Sequence, residues 1–147
     1  MVSSPEFGSR RTVEGFHQGE GRRSGASIGF GEAISAGFSN YFNFRDRSTR
    51  SEYWYFVLFL AILGAVAAIL DFALFGLQIV GPLSGIASLA TFIPAISLSV
   101  RRLHDISRTG WWVLLALIPI VGWIILIVWA CQPTIPQANA YGPPPAA

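Results

Sequence analysis

The 147-residue chain is 52% hydrophobic and only 12% charged, with ten arginines, no lysine and eight acids giving a formal charge of +2. With a mean hydropathy of +0.51, it lacks the polar shell of a soluble domain and points to a membrane protein. The small positive surplus excludes the dense basic face that nucleic acid requires, and the single cysteine, Cys131, allows no intramolecular disulfide.

Residues 1–37 open the chain rich in Gly, Ser and Arg. That composition buries too little apolar surface to offset ordering entropy, so a flexible amino-terminal tail is expected. Its SRRTVE string, Ser9 to Glu14, has paired arginines like a twin-arginine export signal. No apolar region follows before Phe38, which argues against that reading.

From Phe38 to Glu52, Phe38, Tyr41, Phe42 and Phe44 alternate with Arg45, Arg47 and Arg50. Rings directed at hydrocarbon and guanidinium groups at phosphates describe an amphipathic interfacial segment, although the same aromatics suit packing beneath a helical bundle. Thr49 and Glu52 have capping-box spacing and predict the start of a helix.

Three apolar runs follow, about residues 53–75, 79–100 and 111–131, each near the 20 or so residues that cross roughly 30 Å of hydrocarbon. The expected fold is therefore an all-α membrane protein, three transmembrane helices preceded by the interfacial segment, with residues 38–131 as the membrane domain. In the second run Gly81, Gly85, Ser84 and Ser88 have small-xxx-small spacing, which predicts close helix packing. Pro94, Pro119 and Gly122 predict modest kinks.

Seven arginines precede the first run and the other three lie between the second and third. By the positive-inside rule both segments are cytoplasmic, which with three spans puts the amino terminus in the cytoplasm and the carboxy terminus in the periplasm. Residues 132–147, with five prolines and no charge, read as an extended, poorly ordered tail.

The polar chemistry gathers in SVRRLHDISRTGWW, Ser99 to Trp112. His104 beside Asp105 suggests acid–base work, with Ser107 as a nominal nucleophile, but helical neighbours point about 100° apart, and no second acidic or nucleophilic cluster supports them. Metal binding fails for want of ligands, since His17 lies in the tail and Cys131 is expected on the far side. Two uses remain. The arginines, His104 and the Trp111 and Trp112 faces can hold a phosphate headgroup, or the loop can lock onto the first basic segment through Asp46 and Glu52.

Three blocks, NYFNFRDRSTRSEYWYF (Asn40 to Phe56), RRLHDISRTGWWVLLALIPIVG (Arg101 to Gly122) and NAYGPPP (Asn139 to Pro145), resemble the bacterial inner-membrane proteins grouped as domain of unknown function 805. The resemblance covers about Phe38 to Pro145. It implies a multi-pass helical protein of the bacterial cytoplasmic membrane and no activity. The matching signature positions are Tyr41, Phe44, Arg45, Arg47, Arg50, Tyr53 and Trp54, then Arg101, Arg102, Leu103, His104, Asp105, Gly110, Trp111, Trp112, Pro119 and Gly122. Asp46 replaces the pattern's usual glycine, placing a carboxylate among the arginines, and Thr109 replaces a serine.

The functional expectation is a non-enzymatic accessory or scaffold subunit without cofactor or metal. Its cytosolic collar of Arg45, Arg47, Arg50, Arg101, Arg102, His104, Asp105, Arg108, Trp111 and Trp112 would bind anionic phospholipid or a larger membrane complex, and a homo-oligomer is an open possibility. A partner would pack on the aromatic-rich first span. Two other classes compete. One is a small oligomeric transporter using Asp71, the one candidate for an intramembrane ionisable group, near the outer end of the first span; the other is a membrane enzyme acting on lipid headgroups through His104 and Asp105.

Overall fold

The computed structural model describes residues 28–76 and 80–145. Residues 1–27, which hold most of the expected tail and its paired arginines, lie outside the described residues, as do 77–79 and 146–147. The elements in order are α1 (Phe30–Ser39), α2 (Arg50–Phe75), α3 (Pro82–Asp105), a 3-10 helix (Gly110–Leu117) and α4 (Val121–Cys131). The fold is mostly helical.

Residues 30–37, assigned to the tail by sequence, instead form most of α1. The Glu32 carboxylate accepts from the Gly29 amide at 3.0 Å and opens the helix. One face of α1 docks on α2: the Phe38 ring lies 5.7 Å from Phe56 and 5.9 Å from Phe59, both edge-on. Gly37 meets the buried Phe56 ring so closely that a Cβ would collide with it. Phe38 therefore packs against the bundle, whereas Phe42 is 76% exposed.

Thr49 opens α2, its Oγ1 accepting from the Glu52 amide at 3.1 Å. The Glu52 carboxylate goes to Arg101 Nη1 at 2.8 Å, so only half of the capping box forms. α2 and α3 are long and apolar enough to cross a membrane; their 26 and 24 residues extend about 39 and 36 Å at 1.5 Å per residue. Leu58, Ile62, Val66 and Ile69 form an exposed stripe along α2, at home in lipid and an aggregation surface in water.

The turn between these two helices is closed by Asp71. α2 runs past it to Phe75, and its buried carboxylate accepts from the Leu83 and Ser84 amides, at 2.9 and 2.8 Å, and from Ser84 Oγ at 2.6 Å. Gly81 holds the N-cap position of α3 without a capping side chain, so Asp71 supplies the cap from the neighbouring helix. A Cβ at Gly81 would overlap the Asp71 carboxyl, which explains the glycine there. Of the expected small-residue packing set, Gly81 and Ser84 thus serve Asp71. Ser88 borders a shallow notch with Leu60 and Gly64, while a Cβ at Gly85 would touch nothing within 4 Å.

Pro94 sits inside α3 and is buried. Lacking an amide, it leaves the Ala90 carbonyl without its usual helical donor; the Tyr41 hydroxyl donates to that oxygen at 2.9 Å. Ser97 Oγ donates in turn to the Asn40 and Asn43 carbonyls, at 2.9 and 2.6 Å. The segment Asn40 to Asn43 is thereby fastened to α3.

The third apolar run, Trp111 to Cys131, is not one helix. Ile118, ahead of Pro119, is extended (φ −93°, ψ 104°), as the residue before a proline prefers. Ile120 turns to φ 66°, ψ −70°, with the Val121 amide donating to the Pro119 carbonyl at 2.8 Å, a γ-turn. α4 then folds back, Gly122 passing so near the Leu115 carbonyl that a Cβ would collide, and the Trp112 and Trp129 rings meet edge-on at 5.6 Å. Eight residues of 3-10 helix and eleven of α-helix each cover about 16 Å, half a bilayer. The run is a helical hairpin whose two arms lie side by side. Pro119 causes a reversal where the sequence suggested a kink.

Tyr41→Phe should destabilise the protein by about 1–3 kcal/mol, the cost of a carbonyl left unpaired in a helix of spanning length, where no water can replace the lost donor. In a Pro94→Ala background, where residue 94 regains an amide, the same change should cost much less. A double-mutant cycle on thermal unfolding in detergent measures this coupling, and zero coupling would contradict the account.

Candidate functional site

The hairpin brings the end of α4 back to the end of α3, where the charged residues cluster. Asp105, 0% exposed, is the hub. Its Oδ1 accepts from Arg47 Nε at 3.1 Å and Nη2 at 2.9 Å, and its Oδ2 accepts from Arg102 Nη1. A third pair, Arg101 with Glu52, joins α3 to α2. All five residues are buried.

One carboxylate between two guanidinium groups leaves a positive excess, and carbonyl oxygens meet it. Arg102 Nε and Nη2 each donate to the Ala130 carbonyl at 3.2 Å, and Nη2 also to the Gln132 carbonyl. Arg47 Nη1 donates to the Gln137 and Gly142 carbonyls, at 2.8 and 3.3 Å, and Nη2 to that of Ile135. The arginines therefore sit where α3 and α4 end, the negative poles of two helices whose last carbonyls need donors. Planar five-donor groups suit this work and a lysine would not.

The carboxy-terminal segment is consequently a strap. Asn139 Nδ2 donates to the His104 carbonyl at 2.9 Å and to Ser107 Oγ at 3.2 Å. Asn139 and Gly142 exchange backbone hydrogen bonds of 3.0 Å, with Gly142 at φ 117°. Tyr141 stacks on His104 with centroids 3.8 Å apart and planes within 3°. This overturns two expectations at once: residues 132–145 are not a loose tail, and they lie on the same side as the arginine loop, as does Cys131. The physical reason is the reversal at Pro119, after which Arg47 and Arg102 collect five carbonyls from residues 130–142.

α3 ends in a Schellman arrangement, the Arg108 amide donating to the Leu103 carbonyl at 2.9 Å and the Ser107 amide to that of His104 at 3.0 Å, with Ser107 at φ 60°. Thr109 stands at the N-cap of the 3-10 helix without a side-chain cap.

The expected collar thus divides. Arg47, Arg101, Arg102 and Asp105 face inward, at or below 5% exposure, and offer no surface to a phosphate. Arg45 and Arg50 are exposed, Arg108 lies over the Trp129 ring at 3.9 Å, and Trp111 is 80% exposed. Trp112 packs on Trp129. The lock expected through Glu52 forms with Arg101. Asp46 instead accepts from Asn43 Nδ2 at 2.5 Å and belongs to none of the three ion pairs among the described residues. Sequence reasoning missed the Asn139–Gly142 turn and Tyr41's carbonyl; an Asn and a Gly flanking an aromatic was the available signal for the turn.

His104 and Asp105 form no dyad. The carboxylate is held by two arginines while the imidazole stacks on Tyr141. Among the described residues there is no group of three or more His, Cys, Asp or Glu placed to hold a metal ion.

A family model described as "Protein of unknown function (DUF805)" matches residues 41–143. The chain belongs to this family. It is 42% identical over 106 residues to the inner membrane protein YhaI of Escherichia coli K12, covering 72% of this chain and 88% of the relative. It is 43% identical over 109 residues to the inner membrane protein YhaH of the same strain, covering 72% and 89%. No solved structure gives a significant match. The matched span begins at Tyr41, which serves Ala90, and ends just past Gly142, which serves Arg47. With two helices of spanning length and relatives named as inner membrane proteins, the chain is a helical membrane protein.

Asp105→Asn should destabilise the protein by about 3–5 kcal/mol, because it leaves two buried guanidinium groups without a counter-charge. Limited proteolysis should then cut first between residues 132 and 145. Asp46→Ala, at an exposed loop position, should change stability by less than about 0.5 kcal/mol.

Proposed function

We propose that the protein is a non-enzymatic element of the bacterial inner membrane, an accessory or scaffold subunit, that holds anionic lipid at the polar end of its bundle and packs through its apolar flanks. The observation that carries this reading is the burial of Arg47 and Arg102 around the shared Asp105 carboxylate inside the fold. Arg47, Arg102 and Asp105 are used for structure, each side chain being held by partners within the fold. Acting outward are Arg45, Arg50 and Arg108, none of them in an ion pair among the described residues.

Those cations, with Trp111 beside them in the chain, have the composition of a membrane-interface belt. The positive-inside rule then puts this end in the cytoplasm, and with it the carboxy-terminal strap, so that both ends of the described chain lie inside. Transport through Asp71 loses support because that carboxylate caps α3. Enzyme action through His104 and Asp105 loses support because the two side chains have separate partners.

The test is lipid retention in mild detergent, read by native mass spectrometry. Each arginine near an anionic surface contributes about 1 kcal/mol, so Arg45→Ala, Arg50→Ala and Arg108→Ala together should lower the preference for phosphatidylglycerol over phosphatidylcholine by on the order of 100-fold. The melting temperature should change little. An unchanged preference in a folded triple variant would sink the proposal.

A further inference from the structure

A cavity of about 630 Å3 lies beside the end of α3, bounded by Phe44, Val100, His104, Val113, Leu114 and Tyr141. We propose that it holds one acyl chain of a membrane phospholipid, with the glycerol end of the molecule at His104. Its volume falls within the roughly 300–1,000 Å3 of small-molecule sites, and its make-up is theirs too, apolar walls with few polar groups.

Two features mark a built site. His104 lines the cavity and is only 7% exposed; its Nδ1 makes no hydrogen bond of ordinary geometry among the described residues, although the Arg45 and Asp46 backbone acts on the ring, so a buried polar atom is left short of a well-formed partner. Gly110, also on the wall, keeps the other edge of the ring clear: a Cβ there would stand 2.6 Å from Val100 and 3.3 Å from His104 Nε2.

Depth and surroundings choose the occupant. His104 is one residue from Asp105, where the spanning helix ends and the charged cluster begins, the level at which a phospholipid passes from headgroup to chain. From there the cavity runs along the 3-10 helix towards Leu114, and residues 110–131 carry no charge. Trp111, also lining it, is exposed, so the cavity adjoins the lipid-facing flank. An apolar cavity beside hydrocarbon has no reason to hold water, and an acyl chain restores the dispersion contacts that an empty one forfeits. The proposal needs no anionic headgroup and stands apart from the arginine contacts.

The experiment uses the full chain in nanodiscs of phosphatidylcholine carrying a photoactivatable diazirine on one acyl chain, with crosslinks mapped by mass spectrometry. Val100 is buried and lines the cavity, so label on Val100 is the expected result. Val113→Trp, which fills the space, should lower that label about tenfold, the change expected for a lost hydrophobic site. Leu117→Trp, exposed and off the wall, should not. Label confined to outward positions such as Leu117 and Ile127, with none on Val100 of the unaltered protein, overturns the proposal. Label on Val100 that survives Val113→Trp also overturns it. Label only from a phosphatidylglycerol analogue would overturn it in favour of a headgroup site. Because phosphatidylcholine is neutral, the arginine triple variant should keep the Val100 label, so either reading can fail alone.

Discussion

The fold depends on one buried carboxylate. Asp105 is placed by the last turn of α3 between Arg47, from the loop before α2, and Arg102, from its own helix. Burying three charges is expensive unless every donor and lone pair finds a partner. Here the partners come from everywhere the chain ends: α3 itself, the end of α4, and the strap at residues 132–142. The arginines are satisfied only if the hairpin turns back and the strap lies down. Charge burial thus dictates the path of residues 110–142.

The same logic recurs at lower stakes along the bundle. Within a membrane-spanning helix an unmet backbone group has no water to turn to. Side chains meet several of them: Tyr41 the carbonyl freed by Pro94, Asp71 the Leu83 and Ser84 amides of α3, and Asn139 and Arg47 the His104 and Asp105 carbonyls at its end. At the hairpin tip, Pro119 has no amide to satisfy, and the Ile118, Val121 and Gly122 amides bond within the turn. Residues that look functional because they are polar in an apolar chain prove to be those that complete the backbone.

Local patterns were legible in the sequence. Thr49 announced α2, the two long apolar runs announced the spanning helices, and the RRLHD block with NAYG carried the family. What could not be read was pairing at a distance. Arg47 meets Asp105 across 58 residues and Gly142 across 95, and no periodicity encodes such a contact. The third run misled because its hydropathy is that of a span, whereas the Ile120 backbone conformation, not its hydropathy, decides the direction. α1 was lost in a Gly- and Ser-rich stretch because its stability comes from Phe38 packing on Phe56, a tertiary effect that composition does not show. The lipid collar was half legible: sequence shows which arginines exist, and burial decides which of them face outward.

Sidedness tests this account most directly. In a Cys131→Ser background, single cysteines at Thr109, Ala140 and Val80, all exposed positions, can be labelled with a membrane-impermeant maleimide from each side of oriented vesicles. The account predicts that positions 109 and 140 react from one side and position 80 from the other, because the strap lies on the arginine cluster. Position 140 reacting together with position 80 would mean that the third run crosses the membrane, and the Asp105-centred closure would be wrong.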